Sequence, residues 1–169
     1  MGKIINFENG CSGKAYSDFI DYAFSKTDFF MLVYVDYYCE GYSPQKATIR
    51  KALKPFEVKV RTNPSWPGTP GRVDGLKKSS YEVVFYKNNE AAKSILKSVN
   101  NIYDWSPPDF PEDLAFFKNN QCWFLSIGHE EMASIIDPDK EDIRFLLDNG
   151  LTYYDFAHEE YEYEEPGLT

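Results

Sequence analysis

The chain has 169 residues, of which 43% are hydrophobic and 17% aromatic, a composition typical of one folded domain and not of a disordered chain. Its formal net charge is −9, and seven acidic but no basic residues lie at 148–169. This acidic balance excludes nucleic acid and anionic membranes as expected ligands, because both bind basic surfaces.

Sequence features also predict the compartment. No apolar run approaches the roughly 20 residues that a membrane-spanning helix needs. Residues 1–10 lack the apolar segment of a signal peptide. Cys11, Cys39 and Cys122 are odd in number and widely spaced, as expected of buried, reduced thiols. A cytoplasmic protein is therefore predicted.

The first part of the chain alternates helix and strand patterns. Apolar residues at helical spacing predict a helix over 14–26. The dense apolar run at 28–38 is typical of a central strand that is buried on both faces. A serine-proline start predicts a second helix over 44–53. Alternating apolar and charged residues at 56–60 then predict a half-exposed strand.

The second part continues the mixed pattern. Prolines and glycines predict a loop over 63–75, followed by a strand at 81–86 and a helix at 90–99. Two apolar runs around the turn sequence KNNQ predict a hairpin over 114–127. A last helix is predicted over 137–147, with a glycine after its end.

These elements predict an α+β fold. We expect a single domain with a mixed or largely antiparallel sheet of about five strands and three to four helices. Residues 1–150 would form this domain. Residues 151–169 would form an acidic, aromatic C-terminal segment that is a strand or extended and frays at its end.

No catalytic residue, metal site or cofactor site is predicted. His129 opens a sequence like the zinc-protease motif, but Ala133 stands where the second histidine is required. His158 could join His129 at a metal, although a surface histidine is the commoner alternative. A nucleophilic Cys122 with His129 as base is disfavoured, because their odd separation would place them on opposite faces of one strand. Signatures of serine hydrolases, P-loops and dinucleotide sites are absent.

The loop at 63–75 is a candidate recognition site. Trp66 lies among three prolines and is followed by Arg72. Rigid loops with tryptophan and arginine suit binding, because both residue types dominate interface energies and little entropy is lost. The alternative is a loop folded onto the body, with Trp66 closing the edge of the core.

Three short motifs resemble those of a family of small bacterial cytoplasmic proteins. They are WPGT at 66–69, PEDLAFF at 111–117 and a tryptophan followed after five residues by His-Glu at 123–130. The resemblance covers about 14–150 and implies structural roles for the motifs, namely a turn, a strand entry and a hairpin end. It implies no activity, and it does not include the acidic end.

The acidic end suggests a function. Alternation at 160–164 would place tyrosines on one face of a strand and glutamates on the other. Such a strand could simply dock on a sheet edge. Alternatively, it could meet a basic protein, because a surface of one sign accelerates association and tyrosine supplies contact area. The partner-binding candidates are Trp66, Arg72, Asp155, Glu159, Glu160, Tyr161, Glu162, Tyr163 and Glu164.

The resulting hypothesis is a non-catalytic protein-binding protein, such as an acidic immunity or inhibitor protein that neutralises a basic, nuclease-like toxin. One alternative is an enzyme or small-ligand binder with a pocket near Trp66, Arg72, His129 and Glu130. Another is an interaction module without a toxin partner. The sequence leaves the oligomeric state open.

Overall fold

The computed structural model describes residues 2–36, 43–69, 71, 80–157 and 163–168. This part of the chain contains four α-helices and eight β-strands. The helices are α1 (Gly13–Lys26), α2 (Pro44–Leu53), α3 (Glu90–Leu96) and α4 (Lys140–Asp148). The strands are β1 (Ile4–Phe7), β2 (Phe29–Asp36), β3 (Glu57–Arg61), β4 (Ser80–Lys87), β5 (Glu112–Lys118), β6 (Gln121–Ile127), β7 (Met132–Ile136) and β8 (Tyr153–Phe156).

The strands form one sheet in the order β3-β4-β2-β5-β6-β7-β1-β8, and each described pairing is antiparallel. The predicted α+β fold with an antiparallel sheet is therefore confirmed, as is the number of helices. The prediction of about five strands is wrong, because the described sheet has eight. The pattern missed β1 and β7, which have four and five residues and are too short for a distinct alternation, whereas β8 lies in the segment predicted to be a strand or extended.

The central strand β2 is buried on both faces, as its sequence predicted. Its alternate side chains enter two separate apolar clusters, with Leu32 in the first and Met31 in the second. Each helix of the described part contributes buried residues to the first cluster, so the helices lie on one face of the sheet. Trp66 and Leu168 contribute to the second cluster on the opposite face.

Local capping fixes where two of the helices begin. The Ser43 hydroxyl accepts a hydrogen bond from a backbone N–H in the first turn of α2, as the serine-proline start predicted. Asp139 and Asp142 cap α4 reciprocally, each side chain accepting from the other's backbone N–H. This helix begins after Asp139 and not at Asp137 as predicted, because Asp137 has a left-handed φ of 50°.

The hairpin predicted over 114–127 is formed by β5 and β6. Asn119 lies in its turn with a φ of 55°, a left-handed conformation that asparagine tolerates well. Further along, β8 pairs with β1, so residues 153–156 belong to the sheet. Within the described residues, no helix combines the length and the apolar character that crossing a membrane requires.

Candidate functional site

Asp113 connects the parts of the chain that carry the three short motifs. Its Oδ2 accepts a hydrogen bond of 2.7 Å from Trp66 Nε1, and its Oδ1 accepts one of 3.1 Å from the backbone N–H of Gly128. The residue is 2% exposed and has a φ of 61°. A buried aspartate with a left-handed backbone conformation is stable only where its hydrogen bonds hold it in place. Asp113 therefore links the loop of Trp66 to the turn at Gly128.

The loop that carries Trp66 folds onto the sheet. Trp66 and Thr69 exchange two backbone hydrogen bonds of 3.0 and 2.7 Å, and Gly68 between them has a φ of 81°. The Trp66 ring packs near Tyr81, with 5.8 Å between the ring centroids, and the residue is 1% exposed. Trp66 therefore closes the edge of the core, as the alternative to a recognition role predicted. Its ring is not available for surface contact with a partner.

The turn after β6 exposes the His129 and Glu130 side chains. They are 55% and 53% exposed, with 3.6 Å between His129 Nε2 and Glu130 Oε1. The preceding Gly128 is required, because a Cβ there would collide with the carbonyl oxygen of Trp105. Asp113 thus brings Trp66 and the His129 turn close together, whereas Arg72 lies outside the described residues. The suggested pocket around these side chains is therefore only partly assembled from residues that the structure describes.

The described residues contain no group of three or more histidine, cysteine, aspartate or glutamate side chains placed to hold a metal ion. His158 lies outside the described residues. Cys122 is buried, its Sγ lies 3.3 Å from the Phe124 carbonyl oxygen, and burial raises the pKa of its thiol far above the ordinary value. Burial likewise raises the pKa of Cys11 to about 12. Both thiols are therefore protonated and poorly reactive at neutral pH, while Cys39 lies outside the described residues.

Residues 163–168 run beside the hairpin of β5 and β6. The backbone N–H of Cys122 donates to the Tyr163 carbonyl at 2.9 Å, and the Glu165 N–H donates to the Asn120 carbonyl at 2.8 Å. The Leu168 N–H donates to the Asn120 side chain at 3.0 Å, and the Leu168 side chain is buried. This stretch is therefore anchored to the body at both of its ends, and we call it the C-terminal strap.

Glu165 is the buried carboxylate of the strap, and it faces two cations of β3. It is 2% exposed and accepts hydrogen bonds from Lys59 Nζ at 2.5 Å and from Arg61 Nε at 3.1 Å. The Tyr163 hydroxyl donates to its Oε2 at 2.8 Å. Burial alone would raise the pKa of Glu165, but these hydrogen bonds outweigh burial and hold the pKa below the usual value. The body of the protein therefore neutralises this tail carboxylate.

The other acidic candidates are placed differently. The Asp155 side chain is 75% exposed, with Lys3 Nζ 3.1 Å away, and Glu164 is also exposed. Tyr163 is half-buried against the second cluster and close to Arg61. The remaining tail candidates lie outside the described residues, namely Glu159, Glu160, Tyr161 and Glu162.

Charge is separated between the two ends of the sheet. Residues 43–61, which form α2 and the edge strand β3, contain six basic residues and one acidic residue. Residues 128–157, which form β7, α4 and the edge strand β8, contain eight acidic residues and two basic ones. Since β3 and β8 are the two outer strands of the described sheet, a basic end and an acidic end face in opposite directions.

A pocket of about 490 Å³ lies where β6, β7, α1 and α4 meet, and the sequence analysis did not find it. Lys26 Nζ lies 2.6 Å from Asp139 and 3.3 Å from Asp142 on its wall. Asp142 is fully buried and also accepts from Tyr22 at 2.7 Å and Trp123 at 3.3 Å. These carboxylates hold the pKa of Lys26 above its ordinary value despite burial. The sequence indicated this pocket only through the acidic residues at the start of a predicted helix.

The described structure thus offers a rigid cluster around Asp113, a strap with a neutralised glutamate, an exposed acidic end and a polar pocket. Of these, the acidic end presents the most charge to solvent, and the pocket is a concave feature with convergent polar groups. The chain matches no protein-family model, no curated protein and no solved structure.

Proposed function

We propose that this protein is a non-catalytic protein-binding protein whose acidic end binds a basic protein, in the manner of an immunity or inhibitor protein that neutralises a nuclease-like toxin. The observation that supports the proposal is the separation of charge along the sheet, with eight acidic residues and two basic ones at 128–157. A field of one sign attracts an oppositely charged partner and raises its association rate.

The side chains of the acidic end suit a protein partner. Glu131, Asp148 and Asp155 are exposed there, so a partner can reach their carboxylates. Tyr154 and Leu147 lie in the same region and are 46% and 60% exposed. Exposed apolar groups beside charges supply the contact area that a specific interface needs in addition to electrostatic attraction.

The test is capture of the partner from the native host with charge-reversed variants. The acidic-end variant carries Glu131→Lys, Asp148→Lys and Asp155→Lys. The control variant carries three reversals of exposed acids elsewhere, Glu82→Lys, Glu90→Lys and Asp109→Lys, which change the net charge equally. We expect the wild type and the control to retain a basic protein at low salt and to release it at high salt.

The acidic-end variant is expected to bind the same protein at least about 10-fold more weakly, because three favourable charge contacts become repulsive. Mass spectrometry identifies the captured protein, and its direct affinity is then measured by calorimetry. Recovery of no basic protein at either salt would refute the proposal. Equal loss of binding in the control variant would also refute it, because net charge and not the acidic end would then be responsible.

A second candidate function is binding of a small ligand in the pocket beside Lys26 and Trp123. Its volume of about 490 Å³ falls within the range of roughly 300–1,000 Å³ that is typical of ligand sites. The test is tryptophan fluorescence during titration with charged metabolites. A ligand in this pocket should change the emission of the wild type and of a Trp66→Phe variant, but not that of a Trp123→Phe variant.

A further inference from the structure

The exposed large apolar side chains of the described residues lie at the two ends of the sheet. Val58 and Val60 belong to β3 and are 43% and 38% exposed. Tyr154 belongs to β8, and Leu147 lies at the end of α4, which leads into β8. β3 and β8 are the outer strands of the described sheet, and outer strands are where additional strands pair.

Charge at the two ends is complementary. The exposed cations Lys51 and Lys54 precede β3 in the chain, and Lys54 Nζ lies 3.0 Å from Glu57 at the start of that strand. Beside Tyr154 and Leu147 lie the exposed carboxylates of Asp148 and Asp155. Each end therefore combines an apolar contact with charges of one sign, and the signs are opposite. A second copy of this chain has the chemistry that each end requires.

On the helix side of the sheet, Val60 at one end corresponds to Asp155 at the other, whereas Tyr154 lies on the opposite face beside Asn6. Val60 pairs with Val84, which belongs to the cluster on the helix side, so Val60 lies on that side of the sheet. In β8, Tyr153 packs against the same cluster, and Asp155 shares its face because side chains alternate. If β8 of one copy paired with β3 of another, the helices of both copies would lie on the same side of a continuous sheet.

The charged side chains of β3 do not prevent another strand from reaching its exposed valines. Lysine or arginine on an outer strand commonly prevents pairing with another molecule. Here the Lys59 and Arg61 side chains reach Glu165 of the C-terminal strap on the face away from the helices. Their charges are thus partly neutralised within the chain, and Val58 and Val60 remain exposed.

We propose that copies of this protein associate head to tail, with the acidic end around β8 of one copy against the basic end around β3 of the next. Pairing of strands of four and five residues buries a small area, so the association is weak and is favoured at low salt. Because the two surfaces differ, the contact does not close on itself as a twofold dimer does, and longer assemblies form as concentration rises.

This inference goes beyond the proposed function, because its partner is the chain itself and it requires the β3 end. Two variants separate the ends. The β3 variant, Val58→Glu with Val60→Glu, makes the basic end repel β8. The β8 variant, Tyr154→Lys with Asp155→Lys, makes the acidic end repel β3. A third protein, the control, carries Ser94→Glu and Ser98→Glu. These residues lie on the exposed side of α3 and in the turn after it.

Sedimentation velocity over a wide concentration range measures the association. We expect the mass of the wild type and the control to rise with concentration at low salt and to fall towards the monomer at high salt. Each edge variant alone should remain a monomer. An equal mixture of the two variants should associate again, because the unchanged acidic end of the first meets the unchanged basic end of the second, and the introduced glutamates face the introduced lysines. Failure of the basic-protein capture described above would leave these outcomes unchanged.

A wild type that is monomeric at all concentrations and salts would overturn the proposal. A β3 variant that associates like the wild type, or a mixture that stays monomeric, would do so as well. Amide exchange provides the second measurement, since it needs no variant. Backbone N–H groups of β3 and β8 should exchange more slowly at high protein concentration, while those of β5 should not change; unchanged exchange at both outer strands would contradict strand pairing.

Discussion

Replacement of Glu165 by glutamine should strongly lower the free energy of unfolding of the protein. The buried carboxylate accepts hydrogen bonds from Lys59, Arg61 and Tyr163. Glutamine keeps the shape and one acceptor but removes the negative charge, so two cations face each other without a counter-ion.

The size of the effect follows from the exposure of those cations. Removing one partner from a fully buried ion pair costs about 3–5 kcal/mol. The Lys59 and Arg61 side chains are 29% and 17% exposed, so water can partly replace the lost carboxylate. We therefore expect the free energy of unfolding to fall by about 2–3 kcal/mol, between the values for buried and exposed pairs. In a chain of this size that loss lowers the Tm by about 5–10 °C.

Urea unfolding at a series of pH values measures both the size and the origin of the effect. The folded pKa of Glu165 lies below its unfolded value of about 4.3. Its stabilising contribution is therefore complete above the unfolded pKa and is lost as the pH falls through the folded pKa. The difference between the wild type and Glu165→Gln should be largest at neutral pH and should shrink below about pH 4.

The neighbouring residue supplies the control. Glu164 is exposed, so Glu164→Gln should change the free energy of unfolding by less than about 0.5 kcal/mol. A Glu165→Gln protein that is as stable as the Glu164→Gln protein at neutral pH would refute the reasoning. A difference that persists unchanged in acid would also refute it, because the charge of Glu165 would then not be its cause.

Three other predictions concern buried polar groups. Trp66→Phe should lower the free energy of unfolding by about 1–3 kcal/mol in urea, because Asp113 loses the hydrogen bond from the indole N–H. Combining Trp66→Phe with Asp113→Asn should cost less than the sum of the two single changes. Tyr16→Phe should cost about 1–3 kcal/mol in the same assay, because its buried hydroxyl makes two hydrogen bonds, and a neutral result would contradict this. Cys11 and Cys122 should react with a thiol reagent at neutral pH only after unfolding, as mass spectrometry of the labelled protein can establish.

Elements with strong local signals were predictable from the sequence. α1, α2 and β2 were predicted within two residues because their patterns are long or because serine-proline marks a start. The short strands β1, β7 and β8 carry no such signal. They become strands because they pair with one another at the end of the sheet, and that pairing depends on residues more than 100 positions apart for β1.

The candidate site was less predictable, for a related reason. The burial of Trp66 depends on Asp113, 47 residues later, and a tryptophan in a proline-rich loop has the same local sequence whether it is exposed or buried. Glu165 had no distinguishing feature among the tail glutamates. Its partners Lys59 and Arg61 lie more than 100 residues earlier, so only the tertiary structure selects it from its neighbours.

The position of β1 has a consequence for synthesis of the chain on the ribosome. This strand is made before the other strands of the described sheet, yet it lies between β7 and β8, which are made more than 120 residues later. Until both emerge, the apolar residues Ile4 and Ile5 lack their partners and depend on transient contacts or chaperones for protection. We therefore expect folding to be slow, in the millisecond-to-second range of proteins dominated by distant contacts. Completion of the sheet around β1 is therefore a late event in folding.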